Sequence, residues 1–275
     1  MPNTKSPLAL CLLVVAACKG EQAPPAAAQD TTTATPAAPS GVTGTPTYGY
    51  TVVATLPHDP TAFTEGLFIK DGKLYEGTGL EGKSEIRRSD LATGAVELRR
   101  SIPEPYFGEG ISIVGDRLYE LTWKHGKAFV YDAKTFAPRD TLSYYGQGWG
   151  LTTDGESLYM TDSTARIRVL DPKTFAVKRT IDVNDGGSPV SMVNELEWYK
   201  GELLANVWQS MQIARIDPKT GSVTGWIDLT GLPLPADKNG TEDVLNGIAY
   251  DAATDKLYVT GKNYSKLYQI QIKPR

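Results

Sequence analysis

From Tyr48 onward the apolar residues fall into short, strand-length runs, each led in by a similar phrase: a small residue, a polar or aromatic one, then the apolar stretch. The phrase reads Thr64-Glu65-Gly66-Leu67, Gly108-Glu109-Gly110-Ile111, Gly148-Trp149-Gly150-Leu151, Asn194-Glu195-Leu196-Glu197 and Leu245-Asn246-Gly247-Ile248. Each copy is followed by a second run built on Leu74, Leu118, Leu158, Leu203 or Leu257. These leucines lie 44, 40, 45 and 54 residues apart, and a repeat of roughly 40 to 45 residues is the length of a four-stranded propeller blade. Asp71-Gly72 and Asp154-Gly155 supply turns between first and second runs. Turns built on Asp90, Asp132, Asp171 and Asp217 close the third runs, and outer strands such as Ala95 to Arg100 follow. The long last step predicts an exposed loop, Leu232 to Asp243.

The pattern predicts an all-β fold, a five-bladed β-propeller over residues 48–275. The fifth unit stops at Lys266 to Ile272, one strand short, and Tyr50 to Leu56 has no other place. An N-terminal strand closing the last blade removes the exposed edge. A pair of β-sandwiches is the rival architecture.

A radial arrangement brings the leading residues together: Glu65, Glu109, Trp149, Glu195 beside Asn194, and Asn246, with Trp123, Trp208 and Lys262 from the ends of second strands. Each also has a plainer reading. The indoles can fill core, the glutamates can be solvated turn residues, the amides can bond backbone, and Lys262 can be a rim charge. Their recurrence at equivalent positions favours a shared pocket, with Glu109 as its working carboxylate.

Composition narrows the chemistry. The 275 residues carry a net charge of −4 and no basic stripe, which excludes nucleic acid as the expected partner. Both cysteines, Cys11 and Cys18, precede the repeats, so the folded part has neither disulfide nor thiol chemistry. His58 and His125 stand far apart, and no zinc, nucleophile-elbow or phosphate-loop motif occurs. Carboxylates, amides, lysine and indoles remain.

Residues 1–18 read as a lipoprotein-type signal peptide: Leu8 to Ala17 is apolar but too short to span a bilayer. Val15-Ala16-Ala17-Cys18 resembles a bacterial lipobox, with Cys18 as the lipidation site; ordinary cleavage beside an incidental cysteine is the alternative. Residues 19–47, rich in Ala, Pro and Thr, read as a disordered tether. The expectation is an exported, monomeric protein, lipid-anchored to a bacterial membrane on the periplasmic or outer-membrane side and touching it only through that anchor.

The ordered set Phe63-Thr64-Glu65-Gly66-Leu67, Tyr106-Phe107-Gly108-Glu109-Gly110, Leu121-Thr122-Trp123-Lys124, Gly148-Trp149-Gly150-Leu151, Asn194-Glu195-Leu196-Glu197, Ala205-Asn206-Val207-Trp208, Leu245-Asn246-Gly247-Ile248 and Thr260-Gly261-Lys262 resembles the glutamine cyclotransferases of the plant and bacterial type. The likeness runs from about Thr51 to Ile272. It implies a five-bladed propeller that converts an N-terminal glutamine of a peptide or protein to pyroglutamate, releasing ammonia. It further implies Glu109 as the catalytic acid/base, and Phe63, Glu65, Trp123, Trp149, Asn194, Trp208 and Lys262 as substrate-binding residues. No cofactor is required, and calcium in the central channel is a secondary, structural expectation. Ser163 stands where the family usually has glycine, and Asn263-Tyr264-Ser265 replaces a tryptophan-proline, which puts substrate preference in question. Two other classes stay open. One is a metal-dependent lactonase-type propeller hydrolase with Glu65, Asn194 and Asn246 as ligands; the other is a non-catalytic docking lipoprotein.

Overall fold

A computed structural model describes residues 44–233 and 244–275. The segment expected to be a signal peptide, with Cys18, the expected tether as far as residue 43 and most of the expected 232–243 loop lie outside the described residues. The described secondary structure is entirely β. After β1 (Thr47–Pro57), strands β2 (Thr64–Lys70), β3 (Lys73–Thr78), β4 (Glu85–Asp90) and β5 (Val96–Ser101) form an antiparallel sheet in that order. The order repeats in β6 (Gly108–Val114), β7 (Arg117–Thr122), β8 (Lys127–Asp132) and β9 (Pro138–Ser143), and in β10 (Leu151–Thr153), β11 (Leu158–Thr161), β12 (Arg166–Leu170) and β13 (Val177–Asp182). A small ladder of β14 (Asn184–Asp185) and β15 (Ser188–Pro189) follows. The rest comprises β16 (Val193–Tyr199), β17 (Glu202–Val207), β18 (Gln212–Ile216), β19 (Val223–Asp228), β20 (Leu245–Asp251), β21 (Lys256–Gly261) and β22 (Lys266–Pro274). These last seven strands and β1 share one eight-stranded sheet, ordered β16-β17-β18-β19-β1-β22-β21-β20.

The first strand of each set packs on the next, from β2 through β6, β10 and β16 to β20, and β20 packs back on β2. The result is propeller-like. Strands at the axis are covered on both faces, which explains why β2, β6, β16 and β20 are buried along nearly their whole length. Outer strands β9 and β13 are mostly exposed and carry charge. Between the first two sheets, Tyr75 and Ile86 meet Ile111, Leu118, Tyr131 and Phe136 in one apolar cluster. At Asp71 and Gly72, φ of 52° and 71° makes the left-handed two-residue turn that suits a tight hairpin.

The leading phrases are bulged. Register shifts between Thr64 and Gly66, Gly108 and Ile111, Val193 and Leu196, and Leu245 and Ile248 place Glu65, Glu109, Asn194 and Asn246 at equivalent irregular positions. The following residue is usually glycine because neighbouring inner strands touch backbone to backbone there. A Cβ on Gly110 would stand 2.4 Å from the Leu151 nitrogen, and one on Gly150 2.2 Å from the Asn194 oxygen. Glu195 occupies this glycine position in the fourth repeat, correcting the expectation that it joins the pocket. Its carboxylate accepts from the N–H of Leu67 at 3.3 Å and of Ile248 at 2.8 Å, tying β16 to β2 and β20.

The tether ends earlier than expected. Thr47 already pairs with Trp226, the Pro46 carbonyl accepts the Trp226 N–H at 2.9 Å, and the Thr45 hydroxyl bonds the Asp185 carboxylate. A segment without apolar mass still orders when a sheet edge offers backbone partners. From Tyr48↔Pro274 to Pro57↔Lys266, β1 then runs antiparallel to β22. Deleting residues 48–56 strips that ladder from β22, and the expected result is loss of cooperative thermal unfolding. A truncated chain that melts like the intact one contradicts this role for β1.

A buried charge cluster reinforces the same junction. The His58 ring bonds the Tyr264 carbonyl on one side and Glu76 at 3.0 Å on the other, while the His58 N–H reaches the Ser265 carbonyl. Arg87 reaches Glu76 at 3.1 Å and Asp59 at 2.6 Å. Burial pulls the His58 pKa down, but the Glu76 charge and hydrogen bond, with the Tyr264 carbonyl, leave it above 6.5. Burial pushes Glu76 up, yet His58 and Arg87 hold it below 4.5. The His58 contribution is therefore full below pH 6.5 and is lost as pH rises through its raised folded value. The Glu76 contribution is full above pH 4.5 and is lost as pH falls through its lowered one. His58→Asn should cost about 1–3 kcal/mol, most between roughly pH 4.5 and 6.5 and less in alkali, read as urea midpoints across pH. A deficit that grows with alkalinity contradicts the assignment.

Candidate active site

At the leading ends of the inner strands lies a cavity of about 600 Å³. Phe63 and Glu65 reach it from the start of β2, Glu109 from β6 and Asn194 from β16. Trp149 precedes β10, while Trp123, Trp208 and Lys262 follow β7, β17 and β21. The catalytic and seven substrate-binding residues implied by the family resemblance all line this one space, although they come from every part of the folded chain; Asn246, grouped with them by the repeat, instead stands behind Glu65 and Asn194.

One wall is a polar relay. Lys262 Nζ donates to Glu65 Oε1 at 2.7 Å, and Asn246 Nδ2 donates to Glu65 Oε2 at 3.2 Å and to the Thr64 carbonyl at 2.8 Å. An amide nitrogen engaged with two acceptors fixes which way Asn246 faces, so its oxygen accepts from Asn194 Nδ2, at 3.1 Å. Asn194 Oδ1 is left buried and without a hydrogen-bond partner among the described residues. The uncommitted group of Asn194 is therefore an acceptor.

The other walls are aromatic. Phe63 meets Phe107 edge-on at 6.2 Å, Phe107 lies 5.6 Å from Trp123, and Trp149 meets Trp208 edge-on at 6.1 Å. These three tryptophans are half-buried at the cavity; Trp198 and Trp226 instead pack against the apolar core. Glu109 is buried, only 5 % exposed, within this enclosure. Burial first, and the Glu65 carboxylate second, push its pKa well above the usual carboxylate range, against the opposing pull of Lys262. Its proton is thus held far more tightly than on an exposed glutamate.

The cavity also contains Leu80, Phe107, Lys124, Gln147, Ser163 and Met192, none assigned a role from sequence. Gln147 lies between β9 and β10, outside any strand, where no alternation marks which side chains face the cavity. Leu80 and Met192 have left-handed backbone, φ 85° and 63°, which no apolar pattern signals. Ser163 lines the cavity, whereas Tyr264 is wholly buried in the core beside it.

A metal fits poorly here. Among the described residues no three His, Cys, Asp or Glu side chains converge. In the set considered for a hydrolase, Glu65 faces the Lys262 ammonium, and the Asn246 oxygen is occupied by Asn194. Glu195 and Glu197, the carboxylates of the inner ring, accept backbone N–H bonds from Leu67, Ile248 and Tyr250. Burial raises the pKa of both, that of Glu197 to about 8.

Fold and site together define a class: an all-β, propeller-like protein with a proton-retaining carboxyl in an aromatic cavity beside a lysine–glutamate pair. The glutamine cyclotransferase model matches residues 23–272, and the chain belongs to that family. It is 45% identical over 226 residues to the glutaminyl-peptide cyclotransferase of Arabidopsis thaliana, spanning 81% of this chain and 71% of that protein. The crystal structure of Myxococcus xanthus glutaminyl cyclase aligns with a TM-score of 0.79 at 31% identity, covering 84% of this chain and 99% of that one.

Proposed function

We propose that this chain is a glutaminyl-peptide cyclotransferase, closing the N-terminal glutamine of peptides and proteins to pyroglutamate and releasing ammonia. The observation that carries the reading is Glu109, a buried acid with a raised pKa at the base of an aromatic cavity, in a chain of this family. The α-amine and the side-chain amide carbon belong to one residue, so holding the ring-closing rotamer supplies much of the acceleration. As carboxylate, Glu109 takes a proton from the attacking amine; as acid, it returns that proton to the departing amide nitrogen. The new C–N bond closes the lactam, the old one breaks, and ammonia leaves. An acid lifted towards the pKa of an amine suits both halves of this transfer.

The remaining roles follow from which atoms are committed. Asn194 Oδ1, an acceptor, suits an N–H of the substrate amine or amide. The indole N–H groups of Trp123 and Trp149 are both held by Gln147, and Lys262, the buried cation of the cavity, is assigned to the amide oxygen as negative charge builds on it. Glu65 holds that ammonium in place, and Phe63, Trp123, Trp149 and Trp208 exclude water.

The same reading takes the scaffold as five-bladed, with β20 to β22 and β1 as the closing blade. The long β1–β22 ladder, against two paired residues between β1 and β19, supports it. Export and anchoring through Cys18 complete the proposal on the strength of residues 1–18, with the domain taken as a monomer; mass spectrometry of the mature N-terminus tests the anchor.

The experiment for the activity is ammonia release from a glutamine-initiated dipeptide, with and without chelator. Release undiminished by chelator is expected. Release abolished by chelator would return the metal-hydrolase reading, and absence of release would leave a docking module.

A further inference from the structure

Two indoles of the cavity share one acceptor. Trp123 Nε1 donates to Gln147 Oε1 at 2.8 Å, and Trp149 Nε1 donates to the same oxygen at 3.0 Å. Only the oxygen of an amide can receive two N–H donors, so the orientation of the Gln147 amide is settled by its partners. The two tryptophans come from different sheets, Trp123 from the end of β7 and Trp149 from the approach to β10. Among the described residues, no other hydrogen bond joins the two rings directly.

The backbone that carries Gln147 is itself pinned. Arg168 donates to the Tyr145 carbonyl at 2.6 Å, to the Gln147 carbonyl at 3.0 Å and to Asp162 at 2.9 Å. Immediately after it, the Gly148 N–H bonds the Trp123 carbonyl at 3.1 Å and the Trp149 N–H bonds the Thr161 carbonyl at 3.0 Å. The amide thus projects from a segment that has little freedom to follow the indoles if they move. It acts as a fixed post, and the indoles are oriented to it.

We infer that Gln147 is a positioning residue for cyclisation: its side-chain oxygen sets the angle between the Trp123 and Trp149 rings and so shapes the slot that receives the glutaminyl side chain. This deepens the proposed function and rests on it. The rings flank the substrate before and during closure, so loosening them weakens ground state and transition state alike, which raises KM more than it lowers kcat. Two neutral hydrogen bonds lost together correspond to roughly a tenfold to thirtyfold rise in KM.

Gln147→Met keeps the length and removes the acceptor; Gln147→Glu keeps an acceptor. In Gln147→Met, KM for a glutamine dipeptide is expected to rise roughly tenfold or more, with kcat within about threefold of wild type. Gln147→Glu is expected to restore KM to within about threefold. A readout independent of turnover is the indole N–H region of the proton–nitrogen NMR spectrum, with Trp123 and Trp149 assigned by single Trp→Phe variants. Both resonances should move upfield in Gln147→Met and return in Gln147→Glu, while the Trp226 resonance, bonded to Asp185 at 2.9 Å, stays put. Unmoved Trp123 and Trp149 resonances, an unchanged KM in Gln147→Met, or no recovery in Gln147→Glu would overturn the inference. If the wild-type chain cyclises nothing, the functional reading falls, and the indole shifts still decide whether Gln147 holds the two rings.

Discussion

Glu109→Gln is expected to cut cyclisation of a glutamine dipeptide by about 100-fold or more, in a protein that stays folded. The amide is nearly isosteric with the acid but neither takes the amine proton nor returns it to the leaving nitrogen. Stability should move the other way. Burial and the Glu65 charge hold the Glu109 proton on in the fold, so folding takes up a proton there. That contribution is unfavourable once pH exceeds the ordinary carboxylate value of 4.5 and worsens up to the raised folded one. A neutral amide removes this pH-dependent penalty, and Glu109→Gln should match or exceed wild type in urea midpoint at neutral pH. A variant retaining more than about a tenth of the wild-type rate removes Glu109 from the proton transfer.

Charge changes on the two neighbours should move the acidic limb of the kcat/KM profile in opposite directions. Glu109 must be ionised to accept the amine proton, so activity rises with pH through its pKa. Glu65→Gln removes the like charge that helps raise that pKa, and the limb moves to lower pH. Lys262→Met removes the opposing cation, and the limb moves to higher pH. The lysine variant should also lose about 100-fold or more in kcat/KM, because it strips the donor for the amide oxygen and leaves Glu65 buried without its ammonium. Limbs that shift in the same direction, or not at all, contradict the electrostatic assignment. Circular dichroism of both variants separates this result from misfolding.

Most of the scaffold is legible in the chain because axis strands are buried on both faces and outer strands are not. That contrast gives the leucine-centred repeat its visibility, and the missing outer strand of the last unit marks Tyr50 to Leu56 as its complement. The convergence of Glu65, Glu109, Trp149, Asn194 and Lys262 follows from the same periodicity.

What stays hidden depends on single-residue register and on side chains meeting across sheets. Asn194-Glu195 resembles Gly108-Glu109 in print, yet the bulge aligns Asn194 with Glu109 and puts Glu195 at a glycine position, facing backbone donors. The sense of the Asn194 amide is decided by Asn246, 52 residues away, and through it by Thr64 and Glu65. No local pattern carries that information. Pro46 and Thr47 belong by composition to the tether, but a sheet edge recruits them.

The central claim is that the fold makes Glu109 a carboxyl able to exchange a proton with an amine. Its most direct test is a pH titration of the Glu109 side-chain carbon by NMR, with Glu109→Gln identifying the signal. The account predicts a midpoint far above the ordinary carboxylate range, lowered in Glu65→Gln. A Glu109 carboxyl that titrates near 4.5 like an exposed side chain would contradict it.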